Sequence, residues 1–215
     1  MSKKERPARE RKRARKQDAR IRRTRERLGM ALLQLILEKP FDSVTVQDVL
    51  DRASIGRSTF YLHFRDKNDL LLCQLELFLE MMSTMLSAKK EKSRRLAPVT
   101  EMFEHIASQR KLYRALRESG RLQDFYDLAQ GYFSRGIEQR LKEIEPPANE
   151  LQVERRVRSV ALAGSLLSLF RWWMDTGTKI PAVQMDEHFH SMAFGEKPAP
   201  AGKSAAPRLG TSGQP

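Results

Sequence analysis

The chain has 215 residues, of which 40% are hydrophobic and 31% charged, a composition typical of a folded globular protein. Its single cysteine, Cys73, excludes an intrachain disulfide and suits a reducing compartment, so we expect a cytoplasmic protein. The net charge of +13 is uneven, because residues 1–27 hold fourteen Lys and Arg and four acidic residues, a net +10. This asymmetry indicates a polyanionic partner, nucleic acid or an anionic membrane.

The longest apolar stretch, Val160 to Met174, is shorter than the roughly 20 residues of a membrane-spanning helix, so no membrane partner is expected.

The chain begins with a basic segment that leads into a helical one. Residues 1–17 have almost no apolar side chains beyond alanine, so we expect a disordered basic arm. From Asp18 onward, apolar residues between Ile21 and Ile36 recur mostly on one stripe, which predicts a helix. Lys39-Pro40 ends this helix, because the residue before a proline is pushed out of the α region.

Two short helices separated by a tight turn come next. Thr45 and Asp48, three residues apart, predict an N-cap pair at the start of the first helix. Residues 53–56 are too short and too polar for another helix and are typical of a turn. Helical spacing resumes over 57–64, where Phe60 and Phe64, four positions apart, are expected to face inward.

This arrangement predicts a helix-turn-helix that reads DNA. Such motifs join two helices by a short turn, and the N-terminal residues of the second helix reach base edges in the major groove. Here those residues are Arg57, Ser58 and Thr59. Arg57 can bind guanine O6 and N7 with two hydrogen bonds, while Ser58 and Thr59 can hydrogen-bond to several bases. Gly56 permits a tight turn and lets the backbone approach the duplex.

The residues of this region follow a specific pattern, namely Thr45 to Val49, Ala53, Gly56 to Phe64, Lys67, and Asp69 to Leu71. In this pattern the chain resembles the DNA-binding domain of the TetR family, over about residues 18–72. The resemblance implies that Arg57, Ser58 and Thr59 contact bases, and that four residues contact phosphates: Thr45, Tyr61, His63 and Lys67. The inward-facing phenylalanines agree with this, since they turn Tyr61 and His63 outward. The chain departs from the family at Lys39-Pro40-Phe41, where many members have a glycine.

The remaining two thirds of the chain is helical in pattern. Asp66, with Asp69, caps a long helix that runs to about Ala88. Further helices are expected near 97–109, 111–118, 121–143, 149–177 and 182–193, with Asn149 capping the fourth of these. The prediction is an all-α protein of about nine helices. It comprises the basic arm, a helix-turn-helix domain at 18–65, a helical regulatory and dimerisation domain at 66–194, and a disordered tail at 195–215.

The segment Val160 to Met174 is apolar around most of its circumference. A helix of this kind is buried on two sides, by its own domain and by a partner, or is the central helix of a monomer. Because a palindromic DNA site needs two readers about 34–36 Å apart, we favour a homodimer. The resemblance implies that the last two long helices form its interface.

The resemblance also implies a pocket for a small-molecule effector in the second domain. Seven aromatic residues are candidates for its lining: Phe103, Tyr113, Phe125, Tyr126, Phe133, Phe170 and Trp173. The alternative for each of them is ordinary core packing.

Other chemistry has little support in the sequence. His188 and His190 are two residues apart, so on a helix they diverge, and no metal or other cofactor is predicted. Cys73 is interpreted as a small core or interface residue rather than a redox sensor. The sequence contains no glycine-rich phosphate loop and no convincing catalytic set, so an enzyme is not expected.

The sequence therefore predicts a cytoplasmic transcriptional regulator, a repressor in most members of the family, that binds a palindromic operator as a homodimer. A small-molecule effector is expected to release it from DNA. The alternative is a non-specific nucleic-acid-binding or architectural protein driven by the basic arm.

Overall fold

A computed structural model describes residues 5–145, 152–177 and 180–196 of the chain. Within these ranges the structure contains nine α-helices, one short 3-10 helix and no strand, so the all-α prediction is confirmed. The buried apolar side chains form one continuous cluster that extends from Leu28 in the first helix to Phe189 in the last. The predicted tail lies outside the described residues beyond Glu196.

The first helix is longer than the sequence pattern indicated. Helix α1 spans Glu5–Glu38, so it begins well before Asp18, and the expectation of a disordered arm over 1–17 differs from the structure from Glu5 onward. Arg, Lys and Ala are among the best helix formers. Extending a helix that is already anchored by packing avoids the cost of nucleation. An apolar stripe indicates only the buried part of a helix, so the sequence pattern does not show how far α1 extends toward its N-terminus.

Two short helices complete the N-terminal domain. A 3-10 helix at Phe41–Ser43 is followed by α2 (Val46–Ala53) and α3 (Arg57–Tyr61). Hydrogen bonds from Leu62, His63 and Phe64 back to Ser58 and Phe60 extend the helical turn of α3 to the predicted end. Within this domain, α1 packs mainly against α2. It also contacts α4 and α6, which follow in the rest of the chain.

Helix α4 (Lys67–Ala88) connects the N-terminal domain to the rest of the molecule. Its N-cap is Asp66, whose side chain accepts hydrogen bonds from the backbone N–H groups of Asn68 and Asp69, as predicted. By length and composition it is also the one helix in the described part of the chain that is apolar enough to cross a membrane. However, α4 packs against α1 and α7, which is the position of a central helix in a bundle.

Five helices form the remainder of the bundle: α5 (Val99–Ser108), α6 (Arg110–Glu118), α7 (Leu122–Ile144), α8 (Gln152–Asp175) and α9 (Ala182–Phe194). All five lie where the breaks in the sequence predicted them. Helix α7 is the centre of this part, since it packs against both α8 and α4, while α9 packs against α5. The predicted cap Asn149 lies outside the described residues.

A half-buried polar cluster joins α9 to the loop before α5. The Arg95 guanidinium lies between Glu101 and Asp186, with N–O distances of 2.5 and 2.7 Å. The ring of His190 accepts a hydrogen bond at Nε2 from the Leu96 N–H (2.9 Å), and its Nδ1 lies 2.9 Å from the Asp186 carboxylate. The buried Arg140 donates to the carbonyl oxygens of Glu91, Ser93 and Arg95 in the same loop. This cluster holds the loop at residues 89–98, which links α4 to α5.

Candidate nucleic-acid interface

The first turn of α3 presents polar side chains to solvent while its other face is buried. Arg57 and Ser58 are exposed, and Thr59 is half-buried. On the opposite face Phe60 and Phe64 are buried against the N-terminal core, as the sequence predicted. Gly56 precedes the helix in an extended conformation, and its carbonyl accepts the first two helical hydrogen bonds, from Thr59 and Phe60. The three predicted base-contacting residues therefore lie together on one anchored turn.

The turn between α2 and α3 is held by Arg27 of α1. Ser54 ends α2 with a left-handed backbone (φ 49°), and the Ile55 N–H bonds to the Leu50 carbonyl. The Arg27 guanidinium donates to the carbonyl oxygen of Ala53 and, at 3.4 Å, to that of Ser54. A cation at the C-terminus of a helix also interacts favourably with the helix dipole. Arg27 thus positions α3 relative to α1, a role that the sequence pattern did not suggest.

Thr45 and Asp48 form the predicted N-terminal cap of α2. The Thr45 hydroxyl accepts from the Asp48 N–H (3.1 Å), and the Asp48 carboxylate accepts from the Thr45 N–H (2.7 Å). Lys39 closes the group, with its ammonium 2.8 Å from the same carboxylate. The hydrogen bond from Lys39, together with those from Thr45, holds the pKa of Asp48 well below its usual range. Thr45 itself is exposed, so its predicted phosphate contact stays compatible with this capping role.

Tyr61 and His63 lie on the outer side of α3. Tyr61 is 51% exposed and its ring packs edge-on against Phe60, with ring centroids 5.3 Å apart. His63 is half-buried beside Phe64. Both orientations agree with the expectation from the inward-facing phenylalanines, and their contact with phosphate remains a prediction. Leu62, between them, is 80% exposed, a feature that the sequence analysis did not single out.

Lys67 has a structural role that its predicted phosphate contact did not anticipate. Its ammonium donates to three backbone carbonyls, those of Phe41 (2.9 Å), Asp42 (2.9 Å) and Val44 (2.7 Å). The same ammonium lies 4.7 Å from the centre of the Phe41 ring. Because an ammonium has three N–H donors, all of them are used inside the protein. Lys67 therefore fixes the loop between α1 and α2, and any contribution to DNA binding acts through its charge.

Basic residues of α1 border the exposed turn of α3. Two surface grooves, of about 680 and 660 Å³, lie between these helices. Both are lined by Lys16, Arg20, Thr24 and Thr59. A phosphate backbone that approaches α3 would meet this row of cations, which supplies attraction without sequence information.

The seven predicted pocket aromatics of the second domain are all buried. Six of them form a network of ring contacts, with Phe170 at its centre; centroid distances from Phe170 to its neighbours are 5.8–6.1 Å. Phe133 is buried outside this ring network in the described part of the chain. Tyr113 and Tyr126 also border a cavity of about 420 Å³. All seven side chains thus take part in core packing, and their contact with a ligand stays a prediction.

The histidine pair at the C-terminus does not form a metal site. His190 is engaged by Leu96 and Asp186, while His188 is exposed on another side of α9. Among the described residues, no group of three or more His, Cys, Asp or Glu is arranged to bind a metal ion.

Comparison with known proteins places this N-terminal geometry in a family. Residues 31–72, which run from the end of α1 through α2 and α3 into α4, match the family described as bacterial regulatory proteins, tetR family. The N-terminal domain is therefore similar to the corresponding domain of TetR-family proteins. Two relatives from Bacillus subtilis (strain 168) are similar in part: the uncharacterised HTH-type transcriptional regulators YxbF, 35% identical over 68 residues, and YerO, 33% identical over 57 residues. These matches cover 31% and 26% of this chain but only 18% and 20% of the relatives.

Two solved structures extend the likeness in fold to the whole TetR-type architecture. A Syntrophomonas wolfei protein assigned to the TetR family of transcriptional regulators aligns with a TM-score of 0.56 at 22% identity, over 80% of this chain and 93% of its own. A TetR transcriptional regulator from Streptococcus agalactiae 2603V aligns with a TM-score of 0.54 at 21% identity, over 84% and 98%. The described chain therefore shares the overall fold of these proteins, and the predicted resemblance to the TetR family is confirmed.

Proposed function

We propose that this chain is a cytoplasmic transcriptional repressor of the TetR family that binds a palindromic operator as a homodimer and is released by a small molecule. The observation that carries the proposal is the exposed first turn of α3, where Arg57 and Ser58 point away from a core anchored by Phe60. Arg57 and Ser58 would read bases together with Thr59, while Thr45, Tyr61 and His63 would contact phosphates.

An exposed apolar stripe on α8 supports the homodimer. Val153, Val157, Val160 and Trp172 are all exposed, although they lie on a helix whose opposite face is buried. Gly164 and Ser168, which lie between them on the same side, permit close approach of a second helix. Exposed apolar groups aligned along one helix face are typical of an interface. On α9, Val183 and Met192 are exposed as well, but nine positions apart they lie on opposite sides of the helix, so the support for the interface comes from α8.

The proposal divides the chain as the sequence suggested, into a DNA-binding domain up to residue 65 and a regulatory and dimerisation domain at 66–194. Release by an effector requires that the ligand binds better to the conformation that does not fit DNA. The second domain would therefore change the spacing or orientation of the two α3 helices.

Selection from randomised duplex DNA, at about 150 mM salt, tests this function. We expect the full chain to select a palindromic or near-palindromic motif. In a parallel selection, Arg57→Ala should lose its preference at one base position of each half-site and about 1–3 kcal/mol of binding free energy. Lys89→Ala, which removes an exposed lysine directly after α4, should select the same motif as the natural chain. Recovery of no motif, despite binding at low salt, would instead favour the non-specific, arm-driven alternative.

A further inference from the structure

The cavity bordered by Tyr113 and Tyr126 has an unusual distribution of charge. It lies between α6, the start of α7 and the end of α8, and four arginines line it: Arg110, Arg114, Arg117 and Arg171. The one acidic residue in its lining is Asp175. Its volume of about 420 Å³ is within the range of small-molecule sites. The cavity is thus large enough for a ligand and carries an excess of positive charge.

Three of the arginines lie on a single face of α6. Arg110, Arg114 and Arg117 are separated by four and three positions, the spacing that brings side chains together on a helix. Within the described part of the chain, Arg117 is paired with Asp175 at 3.7 Å, whereas neither Arg110 nor Arg114 forms an ion pair. Like charges on one helix face repel each other, and a bound anion would relieve this repulsion.

The wall opposite these arginines is apolar and aromatic. Leu122, Tyr126 and Met174 line the cavity, and the Arg171 guanidinium lies 4.4 Å from the centre of the Tyr126 ring. Burial raises the pKa of Tyr113, so its phenol is neutral at physiological pH and does not repel an anion. The site therefore combines guanidinium groups, which bind carboxylate, sulfonate or phosphate with two hydrogen bonds, with a surface for an apolar body.

The residues directly after α6 contact the N-terminal helix-turn-helix domain. Ser119, directly after α6, accepts a hydrogen bond at Oγ from the Phe41 N–H (3.2 Å). The Arg121 guanidinium lies 4.9 Å from the centre of the Phe41 ring and 3.6 Å from the Asp42 carboxylate. Phe41 and Asp42 belong to the loop that Lys67 fixes. A ligand that shifts α6 would therefore act directly on the loop that leads into α2.

We propose that this cavity binds an organic anion, with the acidic group on Arg110 and Arg114 and an apolar or aromatic body against Tyr126 and Met174. The claim that this anion is the effector that releases DNA rests on the proposed function. The claim that the cavity binds the anion does not depend on DNA.

Two fluorescent probes that differ in one acidic group test the ligand class. 8-Anilinonaphthalene-1-sulfonate carries a sulfonate on an apolar aromatic body, and N-phenyl-1-naphthylamine has the same body without the charge. We expect the full chain to bind the sulfonate more tightly than the neutral probe. The double variant Arg110→Gln/Arg114→Gln should lose about tenfold or more in affinity for the sulfonate, as expected when charge-assisted hydrogen bonds are removed, with little change for the neutral probe.

The matched control is Arg156→Gln, which removes an exposed positive charge on α8 outside the cavity lining. It should leave both affinities unchanged, and circular dichroism should show that all variants keep their helical content. Equal binding of the two probes, or sulfonate binding that the double variant retains, would overturn the proposal. Sulfonate binding that depends on the arginines but leaves DNA affinity unchanged would support the ligand class and refute the release mechanism of the proposed function.

Discussion

Two cationic side chains, Lys67 and Arg27, stabilise the helix-turn-helix by donating hydrogen bonds to backbone carbonyls rather than to carboxylates. Lys67 donates to three carbonyls of the loop before α2, and Arg27 donates to two at the end of α2. The position of α3 is thus set from both sides of the helix-turn-helix. Lys67 and Arg27 thus affect the first turn of α3 through the backbone. Arg57 and Ser58, in contrast, have exposed side chains on that turn.

Replacing Lys67 tests the first of these contacts. Lys67→Met keeps the apolar stem beside Phe41 but removes all three hydrogen bonds, so we expect a loss of about 1–3 kcal/mol in the free energy of unfolding. Urea denaturation followed by circular dichroism measures it. Lys89→Met, at an exposed position after α4, is the control and should be neutral. Unchanged stability in Lys67→Met would show that the carbonyl contacts do not hold the loop.

At the scale of helices, the contact between α9 and the loop before α5 depends on ionised carboxylates. Burial opposes the charge of Asp186, but hydrogen bonds from His190 and Arg95 outweigh it and lower the pKa of Asp186 below its usual range. The hydrogen bond from Arg95 lowers the pKa of Glu101 in the same way. A carboxylate whose pKa is lower in the folded state stabilises the fold above its unfolded pKa, and this contribution is lost as the pH falls through the folded value.

We therefore expect Asp186→Asn to reduce the free energy of unfolding by about 1–3 kcal/mol at pH 7, because Arg95 loses a charged partner. The difference from the natural chain should shrink as the pH falls below the usual pKa of an aspartate and through the lower folded pKa of Asp186, where Asp186 itself becomes protonated. Urea unfolding at a series of pH values measures both effects. Glu187→Gln, which changes an exposed carboxylate on the same helix, should have no such effect; an equal loss in both variants would refute the assignment.

The local elements of this fold were predictable, and its long-range contacts were not. The caps at Thr45 and Asp66 and the inward phenylalanines of α3 follow from spacings of three or four residues, which the sequence displays directly. The contacts of Arg27 with α2 and of Lys67 with the Phe41 loop join residues 23 to 27 positions apart, and no local pattern reveals them. The arginine face of α6 could have been found, since its spacing is helical and few acidic residues accompany it.

At the scale of the whole molecule, the second domain meets the DNA-binding domain through α1, α4 and the end of α6. Helix α6 packs against α1, and Ser119 and Arg121 contact the loop before α2. The proposed effector site on α6 is therefore connected to α3, the proposed reading helix, through the loop before α2 and α2 itself. This arrangement gives the proposed regulation a short physical route, in which both ligands bias the position of the same segment.

We expect α3, rather than the basic end of α1, to select the DNA sequence. The most direct measurement compares binding to the selected duplex and to a shuffled one, at about 150 mM salt, for the full chain and for residues 18–215. We expect the shortened chain to bind both duplexes more weakly while it keeps the ratio between them, because phosphate contacts carry no sequence information. If the ratio of the two affinities fell to one without residues 1–17, this would contradict recognition by α3 and assign it to the basic segment.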